Sequence, residues 1–165
     1  MIMNGQGPPF YGKYRGVVTD NLDVKGLGRV RAKVRDVFGD EESGWAMPSI
    51  PYAGDGVGLF LIPPKGAWVW IEFEHGNPDY PIWTGCFWGT PLEVPVKPPL
   101  AQMKVLKTDF ATITLSDLEG SITIENKTKM KIICKPTGIE INCGLGTIDI
   151  SGSKVIINNG ALEVT

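Results

Sequence analysis

The chain has 165 residues, 42% of them hydrophobic and 21% charged, and its formal net charge is −2 at neutral pH. Such a composition is typical of a folded protein with one or two small domains, and it excludes global disorder. The slight negative charge excludes a general electrostatic attraction to nucleic acid or anionic lipid. The high counts of glycine (21) and proline (13), without a collagen repeat, predict many turns and short strands.

The three cysteines, Cys86, Cys134 and Cys143, are odd in number and form no CxxC pair, so a disulfide framework is not expected. The N-terminal residues lack the apolar core of a signal peptide. No run approaches the roughly 20 apolar residues of a membrane span. We therefore expect synthesis and assembly in a cytoplasm, without a signal peptide.

The first part of the chain predicts about five strands and no helix. In the second of them, Val30 and Val34 lie on an apolar face that alternates with basic residues. Trp68, Trp70 and Trp83, from later strands, are predicted to pack in the core or in an interface. Because closure removes exposed edges, these strands favour a small closed barrel. The predicted strands cover residues 13–19, 28–37, 58–62, 67–74 and 81–88.

A proline-rich segment separates two regions of different composition. Residues 91–99 contain four prolines, and all five tryptophans and the single histidine precede them. Proline cannot donate to a sheet ladder, so this segment reads as an extended linker. The regions on its two sides are expected to have different cores.

Residues 110–165 alternate apolar and polar residues in short bursts separated by glycines or polar turns. The bursts begin about every 7 to 10 residues, which predicts repeated strands with one apolar and one polar face. Ile133 and Ile156 interrupt the alternation and are expected to point outward. The residues predicted to form the core of this rod are Ile122, Ile124, Ile132, Ile139, Ile141, Ile148, Ile150 and Ile157.

The predicted apolar stripe needs a partner. A single narrow layer cannot enclose a core, and each exposed Ile or Val forgoes roughly 1.5–3 kcal/mol of burial. The sequence contains no second amphipathic sheet or helix to cover it, so the simplest cover is another copy of the chain. Two copies would form a sandwich and three a triangular prism, and periodicity alone leaves both open.

No cluster of residues predicts catalysis or metal binding. His75 has no cysteine or second histidine at ligand spacing, so we interpret it as a structural or surface residue. Glu72 and Glu74 share a strand face and are interpreted as solvated or paired with a basic strand rather than as an acid–base pair. We expect neither enzymatic activity nor a cofactor.

Two segments resemble a known family. Residues 64–85 read PKGAWVWIEFEHGNPDYPIWTG, and residues 27–34 read LGRVRAKV. They resemble the oligonucleotide/oligosaccharide-binding (OB) barrel in central spikes of contractile tails. That family includes phage baseplate assembly protein V, the phage tail lysozyme-spike and the valine-glycine-repeat spike of type VI secretion. The resemblance covers residues 11–90, and its most specific part is the turn with Gly76, Asn77, Pro78, Asp79 and Pro81.

The resemblance implies an all-β chain, with an N-terminal OB barrel followed by an intertwined triple-stranded β-helix. Three copies would form a homotrimeric prism that docks on a hub protein above the barrel and pierces the target cell envelope. A small tip-capping protein is a further implied partner, since the His-x-His motif that binds iron in some short phage spikes is missing. We expect a minimal form, without a lysozyme or hub domain, and without a nucleic-acid partner.

On this interpretation residues 1–10 form an N-terminal arm, 11–90 the barrel, 91–109 the linker and 110–165 the trimeric rod. The expected location is a virion tail baseplate or another contractile injection particle, assembled in a bacterial cytoplasm. The alternative is an OB module that binds nucleic acid or glycan on exposed tryptophans and uses the β-repeat as an oligomerising stalk.

Overall fold

The computed structural model describes residues 8–164, and its regular secondary structure is almost entirely β-strand. The all-β prediction is therefore confirmed. The chain divides between Glu93 and Val94 into two compact units, and each has its own main sheet. No helix within residues 8–164 is long and apolar enough to cross a membrane.

The first unit is built on a curled five-stranded sheet with the order β2-β1-β6-β7-β3. All neighbouring strands are antiparallel except β3 and β7, which run parallel. In chain order its elements are β1 (Tyr14–Asp20), β2 (Arg31–Lys33), α1 (Arg35–Phe38), β3 (Met47–Pro48), the hairpin of β4 (Ala53–Gly54) and β5 (Val57–Gly58), β6 (Trp68–Phe73) and β7 (Pro81–Phe87).

A backbone bridge joins the two edges of this sheet. Val30 and Ala46, which lie just before β2 and β3, exchange hydrogen bonds of 3.2 and 2.8 Å. The buried Ser43 hydroxyl accepts a hydrogen bond from the Ala32 N–H and donates one to the Gly44 carbonyl. The edge strands are thereby paired, and the sheet curls around its core.

Every buried apolar side chain in the described part of the chain belongs to this first unit. Alternate residues of the strands point inward, as the period of two requires. The Trp83 indole is 4% exposed, and its Nε1 donates to the Gly28 carbonyl at 3.1 Å. The buried apolar residues are Val18, Val30, Ala32, Val34, Ala46, Val69, Ile71, Phe73 and Trp83.

Two predicted strands of this unit are wrong in part. The strand expected at residues 28–37 shrinks to β2, because the Phe38 N–H bonds back to the Val34 carbonyl and starts the four-residue helix α1. Gly39, with φ of 62°, ends that helix. The strand expected at 58–62 is only the end of the small β4–β5 hairpin, and residues 59–62 form no strand.

The second unit is one antiparallel meander of eight strands, each paired with the next in chain order. Its strands are β8 (Met103–Lys107), β9 (Ala111–Ser116), β10 (Ser121–Asn126), β11 (Lys131–Lys135), β12 (Gly138–Asn142), β13 (Thr147–Ser151), β14 (Lys154–Ile157) and β15 (Leu162–Val164).

Strand β8 lies inside residues 91–109, which the sequence assigned to the linker. Once the last proline, Pro99, is passed, the backbone can donate again, and Met103–Lys107 pairs with β9 over its whole length. At the other end of the chain, residues 1–7 of the predicted arm lie outside the described residues. Phe10, the last residue of that arm, packs against Phe73 and Tyr14 of the barrel. The domain limits themselves stay a prediction.

Candidate functional site

One face of the eight-stranded sheet carries two continuous rows of apolar side chains, here called the apolar face. The register never slips between β8 and β15, so every row member lies on the same side. The first row is Leu106, Ile113, Ile124, Ile132, Ile141, Ile148, Ile157 and Leu162. The second row is Leu115, Ile122, Cys134, Ile139, Ile150 and Val155.

All eight residues predicted for the rod core lie in these two rows, and none of them is buried within the part of the chain that the structure describes. Ile122 is 46% exposed and Ile124 is 44% exposed. Between residues 94 and 162 the only buried residues are Ser116 and Ser121. Full burial of an isoleucine is worth roughly 1.5–3 kcal/mol, so this partly exposed face is a candidate interaction surface.

The opposite face of the sheet is polar. Lys131 and Glu125 form a salt bridge of 3.8 Å, and Lys135 and Glu140 one of 3.4 Å. Such exposed pairs contribute at most about 1 kcal/mol each. The charged side chains keep this face stable in contact with water. Ile133 lies among these residues, directly opposite Glu140, on the side that the alternation predicts.

Gly138, at the start of β12, allows two strands to approach closely. Its φ is 153°, and a Cβ atom there would lie 2.0 Å from the carbonyl oxygen of Ile150. Only glycine fits that contact. Gly138 immediately precedes Ile139, where the pairing of β12 with β13 begins.

The structure separates the five residues predicted for the barrel core or interface. Val30, Val34 and Trp83 are buried in the barrel, whereas Trp68 and Trp70 are only partly buried. Those two indoles contact Phe87, with ring centroids 5.7 and 4.5 Å away. The Arg15 guanidinium lies 5.8 Å from the centre of the Trp70 ring. Trp68 and Trp70 thus belong to an outer aromatic row, and the predicted role of the five residues stays a prediction.

The turn between β6 and β7 is held by local hydrogen bonds. The Asn77 N–H donates to the Glu74 carbonyl, and the Asn77 side chain accepts from the Asp79 N–H, both at 3.0 Å. Gly76 has φ of 75°, and a Cβ there would lie 2.8 Å from the Pro9 side chain. Pro78 occupies the middle of this turn, and Pro81 begins β7. The five family-signature residues therefore shape a turn against which residues 9–10 lie.

Side-chain hydrogen bonds order the loop between β1 and β2, in a segment whose residues 21–28 the sequence predicts to form a turn. There the Asp23 carboxylate accepts hydrogen bonds from the Arg29 side chain and from the backbone N–H groups of Lys25 and Leu27. The hydrogen bond from Arg29 is the main cause that holds the pKa of Asp23 far below its usual range. The bond from the Lys25 N–H is an Asx-turn, in which an aspartate side chain accepts from the backbone two residues on.

The candidate acid–base and metal residues do not come together. Glu72 forms a 2.8 Å salt bridge with Lys13, and Glu74 lies beyond the end of β6, in the following turn. His75 is exposed in that same turn, with φ of 53°. No group of three His, Cys, Asp or Glu side chains within residues 8–164 is placed to hold a metal ion.

Comparison with known proteins gives a separate family match for each of the two compact units. The model of the type VI secretion system/phage-baseplate injector OB domain matches residues 14–88. The model of the phage baseplate V C-terminal trimerisation domain matches residues 103–163. The type VI secretion system spike protein VgrG4b of Pseudomonas aeruginosa is 31% identical over 105 residues. The match covers 59% of this chain but only 13% of that relative's length.

An OB domain followed by a trimerisation domain with an uncovered apolar face defines a structural assembly protein of baseplate type. The chain belongs to the central-spike family of contractile tails and type VI secretion, as the sequence resemblance predicted. It is therefore a component of a tail or injection particle. The family is one of structural spike and baseplate proteins, and its trimerisation domain supports a homotrimer.

Proposed function

We propose that three copies of this chain form a spike whose rod pierces the envelope of a target cell, while the barrels dock on a hub protein. The observation that carries this proposal is the apolar face of β8–β15. Three such faces turned inward close a prism with an intertwined β-helical core and no uncovered stripe. The stiffness needed for piercing comes from a dry, close-packed core and continuous strand pairing.

A trimer is favoured over a sandwich of two sheets for a specific reason. Residues 103–163 match a trimerisation domain, and these residues contain both apolar rows. Both arrangements leave the polar face, with its Lys and Glu pairs, in water, so the trimerisation-domain match carries the choice. The same proposal includes three further contacts: a hub protein above the barrel, a small tip-capping protein at the C-terminal end and transient contact with the envelope.

The decisive experiment compares two charge insertions on neighbouring residues of β12. Ile141 lies in the first apolar row, and Asn142 points to the opposite face. Ile141→Asp would bury an unpaired charge in every subunit of the assembly, which is costly. We expect Ile141→Asp to be monomeric by light scattering. Asn142→Asp, which adds the same charge one residue away, should retain three times the mass of the chain.

A trimeric Ile141→Asp variant would contradict the inward assignment of the apolar face. A native mass of twice the chain would favour the sandwich. Envelope piercing is tested separately, by assembling particles with the wild-type chain or a chain truncated before β11 and measuring dye leakage from target cells. Undiminished leakage with the truncated rod would contradict piercing by the rod, but it would not contradict the proposal that the chain forms a trimer.

A further inference from the structure

The outer surface of the barrel unit holds a cleft that neither the core nor the apolar face uses. Its volume is about 480 Å³. It lies where β1, β2, the start of α1 and β6 meet, and it is here called the cationic cleft. Its lining includes Arg15, Thr19, Lys33, Arg35, Asp36 and Trp68.

The cleft reverses the charge of its surroundings. Three basic side chains face one carboxylate there, whereas residues 8–93 as a whole contain eleven acidic and eight basic residues. A short anionic group is therefore attracted locally. A long polyanion would also meet the surrounding negative surface, so charge disfavours a nucleic acid strand as the occupant.

The aromatic wall and one cation of the cleft are held in place before any ligand arrives. The Arg15 guanidinium lies over the rings of Trp70 and Phe87, at 5.8 and 5.7 Å from their centres. Trp68 contacts Phe87 and lies so close to Gly89 that a Cβ there would be 2.3 Å from the indole Nε1. Groups that are already ordered lose little entropy on binding.

The rim of the cleft already accepts a carboxylate of its own chain. Lys33 Nζ lies 2.8 Å from Asp40 Oδ1, although the Asp40 side chain is 90% exposed. The hydrogen bond from Lys33, and then the charges of Lys33 and Arg35, lower the pKa of Asp40. An exposed pair of this kind is weak and easily exchanged. The hydroxyl oxygen of Thr19 is also buried without a hydrogen-bond partner among residues 8–164.

We propose that the cationic cleft binds a short acidic peptide segment of a partner protein. Its carboxylates would lie on the guanidinium groups of Arg15 and Arg35, and an apolar side chain would lie against Trp68. Arginine clusters recognise acidic motifs in this way, through charge-assisted hydrogen bonds. The volume suits a few side chains, whereas grooves for single strands follow about 4–16 nucleotides. This proposal goes beyond the spike function and does not depend on it.

The test uses the full-length chain and fluorescence anisotropy at low salt. Three labelled probes are compared: a short Asp/Glu-rich peptide with one leucine, the same peptide with Asn and Gln in place of the acids, and an oligothymidylate. Arg15→Gln and Arg35→Gln remove cleft charges. Lys25→Gln removes one charge from the exposed β1–β2 loop and serves as the matched control.

We expect the acidic peptide to bind and the neutral peptide not to bind. Loss of a charge-assisted bond in Arg15→Gln or Arg35→Gln should weaken binding about tenfold or more, with less than about a twofold change in Lys25→Gln. If Arg15→Gln lowers the melting temperature, its loss of binding could reflect unfolding. The binding test then rests on Arg35→Gln, because Arg35 is exposed and its replacement should not destabilise the barrel.

The proposal is overturned if the acidic peptide fails to bind, if the neutral peptide binds equally, or if Arg35→Gln binds like the wild type. Tighter binding of oligothymidylate than of the acidic peptide would instead assign the cleft to nucleic acid. If the trimer does not bind the peptide and Arg35→Gln weakens trimer association, the cleft would be assigned to contact with a neighbouring copy of the chain. Either of these two results also contradicts a partner's acidic segment as the occupant.

Discussion

The Asp23 carboxylate and the Arg29 guanidinium form a two-point ion pair inside the loop between β1 and β2. Asp23 Oδ1 lies 2.5 Å from Arg29 Nη2, and Asp23 Oδ2 lies 3.1 Å from Arg29 Nε. The Asp23 side chain is 4% exposed, and the Arg29 guanidinium also lies over the Trp45 ring. One side-chain pair thus fixes the shape of a loop that presents exposed apolar residues such as Val24.

Replacement of Asp23 should change how barrel stability depends on pH. The hydrogen bond from Arg29 lowers the pKa of Asp23 in the folded chain, whereas an unfolded aspartate has a pKa of about 3.9. The stabilisation is therefore complete above about pH 4 and is lost as the pH falls towards the folded pKa. By circular dichroism, Asp23→Asn should melt at a lower temperature than wild type at neutral pH.

The two melting temperatures should converge as the pH falls below about 4. Asp55→Asn, at an exposed site in the β4–β5 hairpin, is the control and should follow the wild-type curve throughout. A constant gap between Asp23→Asn and wild type from neutral to acid pH would show that the charge of Asp23 is not what stabilises the loop.

Alanine at Gly76 should destabilise the barrel more than alanine at Gly26. Both glycines have positive φ, 75° and 66°, which costs an alanine about 1–2 kcal/mol. Only at Gly76 does the added Cβ also meet other atoms, 2.8 Å from Pro9 Cβ and 3.1 Å from Phe10 N. Urea unfolding should therefore give a larger loss for Gly76→Ala. Equal losses would mean that residues 9–10 do not constrain this turn.

The alternation of the C-terminal half predicted its strands well, because every strand of a regular meander has one apolar and one polar face. Ile122 and Ile141 lie in different strands, yet the alternation within each strand predicted that both belong to the apolar face, where the structure places them. The family-specific turn around Asn77 located the β6–β7 connection for a similar reason, since its residues are dictated by local backbone bonds.

The parts that the sequence did not predict depend on contacts between distant residues. The predicted strand extended through residue 37, but a helical turn forms at residues 35–38 and lets Val37 and Phe38 pack on the core. The cationic cleft combines Arg15 with Trp68 and Lys33, which are brought together only by the pairing of β1 with β6 and β2. No local pattern contains that information.

The cysteines should differ in reactivity in the assembled protein. Cys134 lies in the second apolar row between Ile122 and Ile139, so the proposed trimer buries it. Cys143 lies on an exposed loop, and its thiol contacts only the Gly146 carbonyl, at 3.3 Å, among the hydrogen bonds of residues 8–164. Cys86 lies exposed on β7, and partial desolvation raises the pKa of its thiol.

Alkylation mapped by mass spectrometry should therefore label Cys143 first and Cys134 only after the trimer dissociates. The Ile141→Asp variant provides the comparison, since its Cys134 should react in the native buffer. Rapid labelling of Cys134 in the wild-type assembly would mean that the apolar face is not buried.

Truncation of one isoleucine in each unit should separate barrel stability from assembly. Ile71 is 0% exposed in the barrel core, and Ile71→Ala should cost about 2–5 kcal/mol of barrel stability through lost burial and the cavity left behind. Ile132 is 40% exposed in the single chain, so Ile132→Ala should leave the barrel intact and weaken the trimer.

Dissociation is measured by light scattering over a dilution series, and barrel unfolding by tryptophan fluorescence, since all five tryptophans lie before residue 91. Ile132→Ala should dissociate at a higher protein concentration than wild type with an unchanged fluorescence melt, and Ile71→Ala should show the reverse. If Ile132→Ala lowered the barrel melt as much as Ile71→Ala did, the two units would not be independent and the exposed rows would have a role inside the single chain.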